Sequence, residues 1–206
     1  MGGKTRDLIK EVALRLFADN GYDATSIEQI SSGAGIKKSS LYAFFTSKEA
    51  LFWEIYEELE NDYHHYMEQL LVESESMTPL ERLHYLFKQY LSGSQTGSKQ
   101  EAVVERFFWI RVMFFPPAAF KDKLLNRALN REMVLGERYK QIIEEGIRQG
   151  FIRQGSPEDV LLSYYSLRQG LYSLLNVFMY DMNTDQRHDR IDKAWHNFCL
   201  GVEADR

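Results

Sequence analysis

Residues 25–51 read TSIEQISSGAGIKKSSLYAFFTSKEAL, and this stretch decides the fold. Thr25-Ser26-Ile27-Glu28 has the form of a capping box, in which Thr25 accepts from the N–H of Glu28 and Glu28 reaches back. The helix that follows turns Ile27 and Ile30 inward and stops at Gly33-Ala34-Gly35, where a glycine supplies the positive φ of a sharp turn. A second short helix is expected from Lys38 to Phe44, opened by two lysines and two serines, with Leu41 and Phe45 facing inward. Two short helices across a glycine turn form a helix-turn-helix, whose second helix offers its N-terminal residues to the DNA major groove.

Working outward, Leu41-Tyr42, Phe45 and Ser47-Lys48-Glu49-Ala50-Leu51-Phe52 make the stretch resemble the TetR family of bacterial transcriptional regulators. The likeness extends upstream through Ala13, Leu16-Phe17, Asn20-Gly21-Tyr22 and Thr25-Ser26-Ile27, and ends with the first quarter of the chain. Two positions depart from the family pattern: Lys37 replaces a small capping residue, and Phe44 stands where histidine or tyrosine is frequent. The resemblance implies a dimeric regulator of double-stranded DNA, a repressor on a palindromic operator. Tyr42 and Lys48 would then grip phosphates. Lys38, Ser39 and Ser40 would approach base edges, Thr25 and Ser26 would help set register, and Lys37 and Phe44 would flank the contact. Lys4 and Arg6 are placed to reach phosphate or the minor groove.

The charge balance fits if it is read locally. The net charge is −5, yet residues 1–52 carry seven Lys/Arg against six Asp/Glu, so the acidity lies further on. Few, well-placed phosphate contacts need only a modest positive footprint. No run of about 18 uncharged apolar residues is present, so no membrane partner is expected. MGGKTRD lacks an apolar signal core, and the single Cys199 has no internal partner, so a cytoplasmic location is the expectation. Nothing points to an enzyme, a metal or a cofactor. Gly33-Ala34-Gly35 lacks the further glycine of a dinucleotide loop, and His64, His65, His84, His188 and His196 form no i, i+4 metal pair. Within residues 92–98, Gln95 occupies the place where a nucleophile elbow needs serine.

The remainder reads as helix throughout, giving an all-α chain of nine helices divided into a DNA-binding domain (1–52) and a ligand-binding and dimerisation domain (53–206). Helices are expected over about 4–20, 47–72, 79–91, 99–115, 119–149, 157–180 and 185–202, with a flexible connection at 92–98. Pro116-Pro117 ends one, and Ser156-Pro157-Glu158-Asp159 starts another. The eighth helix has an apolar stripe, containing Leu167, Leu171, Leu174 and Phe178, and a mixed one, containing Tyr165, Arg168, Gln169, Tyr172 and Asn176. A buried polar stripe must find partners. A cavity for a small, mostly apolar or aromatic effector would supply them, lined by Phe107, Ile110, Arg111, Phe114, Tyr165, Arg168, Gln169 and Tyr172. Arg111 or Arg168 would pair with a ligand carboxylate; the competing reading is a filled core. The apolar stripe and the seam Ile191, Ala194, Trp195, Phe198, Val202 would meet a second copy as a four-helix bundle. The alternatives are control by a protein partner, or a helical carrier or enzyme with a vestigial DNA domain.

Overall fold

The structure, a computed structural model, describes residues 2–92 and 99–204. The connection expected at 92–98 therefore lies, from residue 93 on, outside the described residues. Among them are nine α-helices: α1 Gly2–Asn20, α2 Ile27–Gly33, α3 Lys38–Leu41, α4 Lys48–Glu73, α5 Pro79–Ser92, α6 Lys99–Phe114, α7 Lys121–Arg148, α8 Pro157–Ser173 and α9 Thr184–Val202. The fold is all-α; beyond helices the described residues hold one isolated bridge, Ile152 with Glu203, and no strand. None of these helices is long and apolar enough to cross a membrane. The chain forms two compact units. The first is bounded as Met1–Tyr66 with Gln95–Arg127, the second as Met67–Ser94 with Ala128–Arg206, so α4 and α7 each contribute to both.

In the first unit, Ile9, Ala13 and Phe17 recur every four residues on α1 and are buried. They meet Ile30, Leu41, Phe45 and the α4 face Leu51, Phe52, Ile55, Tyr56. Phe52 is the hub: its ring lies 5.6 Å from Phe17, 5.2 Å from Tyr22, 5.8 Å from Phe108 and 5.5 Å from Phe120. The two glycines of the turn do different jobs. Gly35 takes the positive φ of +66°. Gly33 lets α2 close on α1, since a Cβ there would lie 2.7 Å from Val12 Cγ1.

Two local expectations are corrected. The residue that caps α2 is Ser26: its Oγ accepts from Gln29 N at 3.2 Å and Gln29 Oε1 accepts from Ser26 N at 2.7 Å. α3 stops at Leu41, short of the expected Phe44. The chain then tightens through Ala43 N to Ser40 O and Phe44 N to Leu41 O, which swings Phe45 into the core before Ser47 Oγ caps α4 through Ala50 N at 3.0 Å.

In the second unit, Leu83, Leu86 and Phe87 of α5, Tyr139, Ile142 and Ile143 of α7, Tyr164 of α8 and Ile191 and Trp195 of α9 are buried. α8 is shorter than expected. At Leu174–Phe178 it widens into a π turn, closed by Met179 N to Leu174 O at 2.9 Å. Arg187 of α9 binds there, to Leu175 O at 2.6 Å and Asn176 Oδ1 at 3.0 Å.

Candidate nucleic-acid interface

α3 is held by one side chain. Leu41 is fully buried, while Lys37, Lys38, Ser39 and Ser40 before it and Tyr42 after it are exposed. Lys37 is the N-cap residue and makes no side-chain cap bond. Lys38 Nζ lies 4.0 Å from a carboxylate oxygen of the exposed Glu28. Ser26 is also exposed; as a cap its oxygen accepts, which leaves its proton for an outside acceptor.

Other residues assigned to DNA from the sequence are engaged inside the protein. Thr25 is buried, its hydroxyl lying 2.8 Å from Gly21 O and 3.1 Å from Leu16 O, so it belongs to the frame. Lys48 Nζ donates to Tyr22 O at 2.8 Å and Thr25 O at 2.7 Å and sits 4.1 Å from the centre of the Tyr22 ring. Burial pushes its pKa below the usual lysine value. Phe44 packs partly buried against the core, and its carbonyl accepts from Arg6 at 3.0 Å. Arg6 also forks onto Glu54, at 2.9 and 2.5 Å, and lies over the Phe45 ring. Lys10 pairs with Glu58 at 2.7 Å. The α4 carboxylates Glu54 and Glu58 thus neutralise Arg6 and Lys10 of α1. This leaves Lys37 and Lys38 as the outward charge at α3, with Lys4 exposed on α1.

The residues expected to line an effector cavity fall in both units, and each group stands by itself. In the first unit Ile110 is nearly buried and Phe107 and Phe114 are exposed. Phe107, Ile110 and Arg111 border an open groove of about 430 Å³ with Ala18, Asp19 and Phe115. Arg111 binds the end of α1, with Nε 3.1 Å from Ala18 O and Nη2 2.5 Å from Asp19 O. In the second unit the mixed stripe of α8 has protein partners. Arg168 is 1% exposed, pairs with Glu132 at 3.0 Å and lies between the rings of Tyr90 and Tyr165, each centred 4.3 Å away. Gln169 accepts from Tyr90 at 3.0 Å, and the Tyr172 ring lies 5.3 Å from that of Tyr90. Burial raises the pKa of Tyr90, Tyr139, Tyr164 and Tyr165, so all four phenols are neutral at physiological pH.

The residues expected to form the dimer seam differ in their exposure within the chain. Ile191, Trp195 and Val202 are buried within their own chain, and Trp195 stacks on His84 of α5, rings 4.8 Å apart and 8° from parallel. Leu167, Leu171 and Phe198 are half-buried, whereas Leu174 and Phe178 are exposed. The sequence reading missed Leu162, Val177 and Leu200, which are exposed as well.

A polar α3 raised on a buried anchor and reached from α2 through the turn at Gly35 defines a helix-turn-helix, in an all-helical chain with a second helical unit. Residues 9–55 match the model of the family described as bacterial regulatory proteins, tetR family, a segment that spans most of α1, all of α2 and α3 and the start of α4. The chain is similar to the AcrR regulator of Shigella flexneri, 43% identical over 54 residues, which are 26% of this chain and 25% of that one. It is similar also to IcaR of Staphylococcus epidermidis, described as a negative transcriptional regulator of the biofilm operon icaADBC: 35% identical over 85 residues, 40% of this chain and 44% of that one. The chain thus spans less than half the length of these curated relatives. A structure from Saccharomonospora viridis in complex with choline superposes with a TM-score of 0.70 over 99% of this chain and 100% of that one at 21% identity, a likeness of fold.

Proposed function

We propose that the chain is a cytoplasmic, dimeric transcriptional repressor whose α3 enters the major groove of a palindromic operator and whose affinity for DNA responds to a small molecule. The observation that carries the DNA reading is the ring of exposed donors around the buried Leu41: Lys37, Lys38, Ser39, Ser40 and Tyr42. Lys38, Ser39 and Ser40 have the reach and chemistry for base edges, and Tyr42, Lys37 and Ser26 for phosphate oxygens. A negative regulator among the relatives supports repression, and a choline-bound structural neighbour supports a small organic effector. The effector's class, mostly apolar or aromatic, rests on the family resemblance and on the rings of α6.

The test starts with DNA fragments selected from genomic DNA by the purified protein. Affinity for the selected site is then measured against salt concentration. Lys38→Ala together with Tyr42→Phe is expected to weaken binding to every sequence, with the salt slope shallower by about one for the lost lysine contact. Ser40→Ala is expected to change base preference at one position. Unchanged affinity in the folded double variant defeats the assignment of α3.

A further inference from the structure

The connection between α1 and α2 is gripped by two cations from two different helices. At its start, Arg111 of α6 donates to the carbonyls of Ala18 and Asp19. Carbonyls in the last turn of a helix lack intrahelical donors and carry the negative end of its dipole. A guanidinium fork fits two adjacent ones with charge-assisted bonds. At the far end of the connection, Lys48 of α4 donates to Tyr22 O and Thr25 O. Between the two cations, Gly21 turns at a φ of +83°, and Thr25 ties back to Gly21 and Leu16. The next residue is Ser26, the cap from which α2 starts. The attitude of α2, and of α3 beyond it, therefore depends on how the end of α1 is held.

Arg111 differs from Lys48 in its surroundings. It reaches across the open groove that it borders with Phe107, Ile110 and Phe115, so a displaced guanidinium has water to go to. It also lies on α6, outside the helix-turn-helix, whereas Lys48 is within the family-matched segment. We propose that Arg111 is a positioning residue for DNA binding. By holding Ala18 and Asp19 it fixes the start of α2, and its release lowers operator affinity without removing any DNA contact. This rests on the reading of α3 as the DNA-binding element.

The full-length protein, Arg111→Ala and Arg111→Lys are compared by operator affinity against salt concentration and by hydrogen exchange of the Gly21 and Thr25 amides. Arg111→Ala is expected to weaken binding to all sequences about tenfold, the scale of a typical coupling between sites. Its salt slope stays that of the wild type, and both amides exchange faster. Arg111→Lys, whose single ammonium reaches one carbonyl, recovers part of the affinity; if the alanine variant does not fold, this intermediate value at wild-type slope is the required result. Faster exchange with unchanged affinity overturns the proposal, because Arg111 is then only a helix cap. A slope reduced by about one overturns it differently, by making Arg111 a phosphate contact. A wild-type protein that binds no DNA sinks the α3 reading itself, a result distinct from either.

Discussion

α3 and α8 break the ordinary rule of burial in opposite senses. α3 is four residues long, buries Leu41 and exposes everything else. So short a helix has no stability of its own, and its shape is imposed by the frame around it. α8 is seventeen residues long, buries the charged Arg168 and exposes Leu162; the π turn that follows exposes Leu174, Val177 and Phe178. A polar element raised on one anchor suits a hydrated polyanion. Apolar side chains on the outside of a helix that buries an arginine suit another protein surface, with a second copy of the chain as the natural candidate.

The largest effect expected is on assembly. Leu174→Asp with Leu200→Asp places charges at two exposed apolar positions, one in the π turn after α8 and one on α9, and replaces no residue of the buried core. Sedimentation velocity at micromolar concentration is expected to give a dimer for the wild type and a monomer for the variant. A monomeric wild type removes the protein-surface half of the comparison. The Phe198→Asp change that the sequence suggests is less clean, since Phe198 packs on Trp195 at 5.2 Å and on Tyr164 at 6.1 Å, and its effect would mix folding with association.

Next in size is the cost of emptying the seam. Trp195 fills the space between α5 and α9 against His84, Phe87 and Tyr164. Trp195→Ala is expected to cost about 3–5 kcal/mol, the range for deleting a large buried ring. Denaturant unfolding should be run in the Leu174→Asp, Leu200→Asp background, where association does not contribute. A cost below about 1 kcal/mol there, in the range of ordinary surface changes, would return Trp195 to the interface.

The contrast between α3 and α8 also separates what the sequence discloses from what it hides. The helix-turn-helix was legible because its signals are local: the glycine turn, the spacing of Ile30, Leu41 and Phe45, and the serine before α4. Thr25…Glu28 and Ser26…Gln29 both satisfy the capping pattern. Tertiary structure chose between them, because Thr25 is drawn inside by the carbonyls of Leu16 and Gly21. Periodicity identifies the buried face of α9 but cannot say that His84 and Phe87 of α5 will cover it. The sequence alone implies that the polar stripe of α8 needs partners, and those partners lie far along the chain. Glu132 pairs with Arg168 from 36 residues away, Tyr90 with Gln169 from 79. Arg6 and Glu54 lie 48 residues apart. Arg187 reaches Asn176 Oδ1 at the π turn, for which LLNVF carries no local signal.

The smallest expected effect concerns the start of α8, where the charge lies outside rather than inside. Glu158 accepts from Lys140 of α7 at 2.6 Å and from Ser156 Oγ at 3.1 Å, in the first turn of a helix whose dipole favours negative charge there. These contacts, led by the bond from Lys140, hold its carboxyl down at about 2, against an ordinary value near 4.5. The folded state therefore binds the Glu158 proton less readily than the unfolded chain does. The stability that the charge contributes is present above about pH 4.5 and is lost as pH falls toward about 2. Because the pair is on the surface, the contribution is modest and weakened by salt. Melting temperatures of the wild type and Glu158→Gln are expected to differ most between pH 5 and 7 at low salt and to converge as the pH approaches 2. A difference that stays constant from pH 7 down to 2.5, or that persists unchanged in 1 M salt, would mean that the glutamate acts at this helix start through its shape and not its charge. Arg168, sealed among tyrosines on the same helix, should show no such salt dependence: its pairing with Glu132 should survive ionic strengths that silence Glu158.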